Sequence, residues 1–122
     1  MQKRKRRRIW LVGAAGFLSA LLLGSPAYAL EWTQTRTVGS ILIVANTTPT
    51  PSEFWIQPAS GTWAATGCPS VAWAFIKSDT NGAKETLALI MQARQLGKTV
   101  SFLGTCYGGG TSFQISWIAA NP

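Results

Sequence analysis

The chain contains no histidine. That absence removes every nucleophile arrangement in which an imidazole acts as the base. It also takes away the commonest side-chain ligand for a metal ion. Acidic residues are scarce too: Glu31, Glu53, Asp79 and Glu85 are all there are. Scattered carboxylates can in principle supply the pair that a glycosidase needs, but none of these four stands in a recognisable motif. The glycine run Gly108-Gly109-Gly110 lacks the Lys-Ser/Thr of a phosphate-binding loop, and no helical pattern follows it. The sequence therefore offers no catalytic residue, no cofactor site and no metal site, and is read as that of a non-enzyme.

Basic residues are plentiful, but their distribution is uneven. The formal charge of the chain is +7. Lys3, Arg4, Lys5, Arg6, Arg7 and Arg8 form one run at the start. An uncharged stretch, Ile9 to Leu23, comes next; Gly24-Ser25-Pro26 breaks it, and Ala27-Tyr28-Ala29 has the small-x-small form of a cleavage motif. The basic run alone has the look of a nuclear signal or a nucleic-acid patch. With its apolar successor it reads as an export signal over residues 1–29, cleaved after Ala29. An uncleaved anchor is the alternative, although the apolar stretch is short for a spanning helix. Arg6-Arg7-Arg8-Ile9-Trp10 also loosely fits a twin-arginine signal.

Beyond this segment the balance changes. Arg36, Lys77, Lys84, Arg94 and Lys98 face the four acids, a net charge of +1. The high isoelectric point thus describes export and not a ligand, and a nucleic-acid partner, which needs several cations on one face, loses its support. Residues 30–122 make one domain, small for a single core, secreted or periplasmic, with no membrane span after cleavage. Cys68 and Cys106 are the only cysteines. In an exported chain an even count favours a disulfide. With the cysteines 38 positions apart, that bridge contributes roughly 3.5–4 kcal/mol on the chain-entropy model. A reactive thiol and a metal-binding pair are the alternatives.

The rest of the chain alternates between two periods. Arg36 to Thr47 reads as a strand, with Ile41 and Ile43 on one face and Leu42 and Val44 on the other. Glu53 to Ala59 and Ser70 to Lys77 are two more. Gly82 to Leu96 has the 3.6-residue pattern of a helix, with Asn81 as its N-cap and Gly97 as its stop. Lys98 to Cys106 and Thr111 to Ala120 complete five strands; in the last, Phe113, Ile115 and Trp117 are expected to face inward. The fold class is mainly β with one helix: a five-stranded, OB-fold-like barrel whose helix lies between strands 3 and 4.

The helix carries an apolar arc of roughly 220°, against the ~100° that an ordinary surface helix presents. Leu89 lies in that arc, and Arg94 interrupts it. Both are candidate contacts with a second copy in a ring-like oligomer; coverage of the whole arc by the first two strands and the Trp63 loop within one chain is the alternative. Among the aromatics, Trp73 and Trp117 fit strand alternation and are read as core. Trp63, in a Gly/Ser/Thr/Ala loop, and Tyr107, beside the glycine run, are the candidate ligand-binding residues.

The run Lys84-Glu85-Thr86-Leu87-Ala88-Leu89-Ile90-Met91, followed by Gly97-Lys98-Thr99-Val100 and Gly104-Thr105-Cys106, resembles a group of small exported bacterial proteins. The layout is similar to the B subunits of AB-type toxins, notably the subtilase-cytotoxin and pertussis-like branch. The likeness covers roughly Cys68 to Trp117; the first two strands add no motif. It implies an OB-fold that assembles as a homo-pentamer, binds a cell-surface glycan and partners an A subunit. None of the family's sugar-contacting residues has a motif that can be placed on this sequence. A secreted or periplasmic protein-binding, inhibitor or structural accessory domain is the second reading.

Overall fold

The computed structural model describes residues 29–46 and 50–121. The export signal expected at the start lies outside the described residues apart from Ala29. Six strands and one helix follow in order: β1 (Glu31–Trp32), β2 (Arg36–Val44), β3 (Glu53–Pro58), β4 (Trp73–Lys77), α1 (Ala83–Gln95), β5 (Thr99–Tyr107) and β6 (Ser112–Asn121).

Among the described residues the mainly β composition and the single helix stand as expected. The count of five strands, with the helix after the third, is corrected: the helix follows the fourth. The added strand, β1, is only two residues long, too short to carry a period. It pairs Glu31 with Gly104 and Trp32 with Leu103. The adjoining Thr33 reinforces it, donating its backbone N–H to the Phe102 carbonyl while its hydroxyl accepts from the Phe102 N–H.

Strand pairing runs round in a ring. β2 pairs with β3, β3 with β4, β4 with β6, β6 with β5, and β5 returns to β2 through Arg36–Val100 and Thr37–Thr99. All contacts are antiparallel except β4–β6. β5 has β6 along one side and both β1 and β2 along the other.

The core fills the inside of this ring. Phe54 and Ile56 of β3, Ala74 and Ile76 of β4, Val100 and Phe102 of β5, and Phe113 and Ile115 of β6 are buried. Alternation delivers each pair, since successive strand residues face opposite ways. One break in the alternation decides the outer surface. The register slips between Leu103 and Gly104, so Gly104 sits opposite Ile115 and Leu103 opposite Trp117. Ser116 is the extra residue of this bulge. The slip turns Trp117 outward, where it is 65% exposed. Its expected place in the core is corrected on that ground. Only glycine suits position 104: a Cβ there would run into the carbonyl oxygen of Gln114.

The helix closes one end of the ring. Its N-cap is Gly82, at φ 76°, with no side-chain cap, and not Asn81. Its other end is as the sequence implied. Gly97 takes φ 64°, and the Lys98 N–H reaches the Ala93 carbonyl at 2.8 Å. Only Ala83, Ile90 and Ala93 of the helix are fully buried, so much of its apolar arc remains open. The bridge between Cys68 and Cys106, with Cα atoms 5.9 Å apart, ties the loop ahead of β4 to the end of β5.

Candidate functional site

The sheet carries aromatic side chains on its outer as well as its inner face. Register partners project on the same side of a sheet. Leu42 faces Trp55, Trp55 faces Phe75, Phe75 faces Gln114, and Gln114 faces Thr105. These residues form one row across β2, β3, β4, β6 and β5. A second row, Trp73–Ser112–Tyr107, lies beside it. Since Phe54, Ile56, Ala74 and Ile76 point into the core, both rows point away from it.

Phe75 is nevertheless only 2% exposed, because its neighbours cover it. Trp55 stacks on it with ring centroids 4.8 Å apart and planes 18° from parallel. Tyr107 meets it edge-on at 5.3 Å, and Trp73 meets Trp55 edge-on at 6.4 Å. The cluster is thus a layer of its own outside the sheet. Polar groups border it. The Trp55 indole N–H donates to the Glu53 carboxylate at 2.8 Å, which orients the ring. Gln114 and Thr105 are half-buried beside Phe75, and Lys77 is the register partner of Glu53 on the neighbouring strand. Tyr107, 53% exposed, offers the most open ring. It follows Cys106 directly, so the disulfide fixes the backbone that carries it.

The candidate residues from the sequence fall in different places. Tyr107 belongs to this outer layer. Trp63 does not: it is 0% exposed, its indole N–H donates to the Ile56 carbonyl at 3.0 Å, and its ring meets Phe102 edge-on at 4.6 Å. The expectation of an exposed loop tryptophan is corrected, because the loop hydrogen-bonds back to Val71 and turns its indole onto Ile56 and Phe102. Leu89 and Arg94 are separated. Leu89 borders a small hollow toward β6 with Leu96 and Lys98, whereas Arg94 borders a wider groove toward β2. Trp73, expected in the core, is corrected to this outer face, since Ala74 and Ile76 take the inward positions of β4; Trp55 and Phe75 carry no sequence signal as ligand contacts. Alternation places Trp73 and Phe75 on one face, but does not say which face is outside.

A third apolar row lies away from the cluster. Trp32, Leu103 and Trp117 are register partners across β1, β5 and β6. Close to it, the Glu31 carboxylate accepts from the Gly67 N–H at 2.9 Å and lies 3.0 Å from the Cys106 sulfur. Glu31, Cys68 and Cys106 bring their ligand-type atoms within 4.8 Å of one another. The disulfide uses both sulfurs, which leaves the carboxylate alone there. Among the described residues no helix is long and apolar enough to cross a membrane.

Comparison with protein-family models, with curated proteins and with solved structures finds no match to this chain. The described residues therefore define the class by themselves: mainly β, hydrogen-bonded in a ring, with one helix, a disulfide and an aromatic layer outside the sheet.

Proposed function

We propose that this chain is an exported glycan-binding module of the toxin B-subunit kind, built as an OB-fold-type barrel. The ring of strand pairs, with the helix ahead of its last two strands, supports the barrel. The observation that carries the binding role is the outer layer of Trp55, Trp73, Phe75 and Tyr107. Aromatic faces stack on the apolar side of sugar rings, and the bordering Glu53, Gln114 and Thr105 suit hydroxyl groups. Large rings with few rotatable bonds do this at little entropic cost. A glycan array on the protein tests the reading, and an array with no bound glycan would refute it. On the glycans that bind, Tyr107→Ala is expected to weaken affinity about five- to tenfold. The melting midpoint should move by only a few degrees, because the ring is largely outside.

The ring-like homo-oligomer is part of this proposal. With Leu89 and Arg94 on opposite flanks of the helix, we assign the contact to the Leu89 and Leu96 flank. Head-to-tail contacts of that kind close into rings. Light scattering coupled to size exclusion should give a multiple of one chain, and Leu89→Glu should reduce it to a single chain. A multiple that Leu89→Glu leaves intact would place the contact elsewhere.

The second reading, a protein-binding or inhibitor domain, is favoured by a different observation. The Trp32–Leu103–Trp117 row is apolar and open, and exposed tryptophans are frequent anchors of protein interfaces. Trp117→Ser separates the two readings, since it leaves the Tyr107 layer untouched.

A further inference from the structure

The helix stands off from the far end of β2. Ile41 and Ile43 point toward the inside of the ring, on the side of Phe54 and Ile56, yet Ile43 is 59% exposed. Across from them lie Leu87 and Met91 of the helix. The space between is an open groove of about 910 Å³, within the range of small-molecule sites. Its walls are apolar, and methionine adapts to flexible chains. The polar groups sit at one end of it: Arg94, with Gln92 and Gln95 beside it. Among the described residues no carboxylate lines the groove. By spacing, Lys84 shares the helix stripe of Leu87, Ala88 and Met91 while Glu85 borders it beside Ala88 and Gln92, so the charge standing in the groove itself is that of Arg94.

We infer that this groove binds a free, single-chain anionic amphiphile, with its acyl chain between Ile41, Ile43, Leu87 and Met91 and its carboxylate on Arg94. Charge complementarity selects the anion. A guanidinium presents paired N–H donors that match a carboxylate, and hydrogen bonds to charged groups are the stronger ones. The same charges disfavour a second copy docked helix to antiparallel helix, which would set Lys84 against Arg94. The inference is independent of the glycan reading, since Tyr107 and its layer do not line the groove.

Calorimetric titration of the full chain, below the micelle concentration, tests it with three probes of one chain length: dodecanoate, dodecanol and dodecyltrimethylammonium. Dodecanoate should bind about tenfold more tightly than dodecanol, and the cation weakest. Arg94→Gln, an exposed change that leaves the fold alone, should bring dodecanoate and dodecanol within about threefold of each other. Ile43→Asn should weaken both. Equal affinity for the three probes, an Arg94→Gln protein that keeps its preference, or no binding of any probe would overturn the proposal. So would flotation with phosphatidylglycerol vesicles that Arg94→Gln abolishes, which would assign the groove to a bilayer. A doubled mass in light scattering that Ile43→Asn reverses would assign it to a second copy.

Discussion

Replacing Trp63 by alanine is expected to lower the stability of the domain by about 3–5 kcal/mol, the range for emptying a large buried aromatic site. For a domain of this size that moves the melting midpoint down by about 12 °C or more. Two losses combine. The space left among Ile56, Val71 and Phe102 cannot collapse fully, because each of those residues belongs to, or adjoins, a different strand of the ring. The Ile56 carbonyl also loses the indole N–H that it accepts. Trp63→Phe should recover part of the packing but not the hydrogen bond, and fall between the two. Thermal melting followed by circular dichroism measures all three proteins. A midpoint for Trp63→Ala within about 3 °C of the parent would show that the indole lies outside the core.

The second large effect concerns the disulfide. Changing both Cys68 and Cys106 to alanine is expected to cost about 2–5 kcal/mol, read as a lower urea midpoint. The bridge constrains the unfolded chain across 38 positions that include β4 and the helix. It also fixes the place where Tyr107 begins and where the Glu31 carboxylate rests. On the proposed glycan-binding reading, affinity should therefore fall with stability in this variant, whereas Tyr107→Ala loses affinity alone. An unchanged urea midpoint would mean that the bridge adds nothing to the stability of the domain.

Local patterns in the sequence expose the strands, the helix and its glycine stop, and the pairing of two cysteines in a chain with no others. What they miss is non-local. Trp63 has no large apolar neighbour in sequence; its neighbours in space come from β3, β5 and the approach to β4. Trp117 obeys perfect alternation on paper, and a single extra residue, Ser116, reverses its direction. That slip follows from the close passage of Gly104 against Gln114 on the neighbouring strand, which no one-strand pattern contains. β1 exists only because Gly104 and Leu103 are available to it. The outer aromatic layer was half legible. The alternation of Trp73 and Phe75 with Ala74 and Ile76 defines two faces, and only the pairing with β3 and β6 decides which one holds the core.

The place of β5 in the ring sets the order in which the chain can assemble. β2, β3 and β4 are consecutive antiparallel partners and can zip together from short loops. Until β5 arrives, β2 lacks its partner on one side; until β6 arrives, so does β4. Both wait on segments that lie beyond the helix in sequence. Arg36 and Thr37 must find Val100 and Thr99 across most of the domain, and such distant pairings form slowly. In that interval two open strand edges face solvent, that of β2 at Arg36 and Thr37 and that of β4 from Trp73 to Phe75. A chain that stops before Thr99 keeps those edges permanently and is set to associate with its own kind. Timely completion of β5 and β6 is what keeps the newly made protein from sticking to itself.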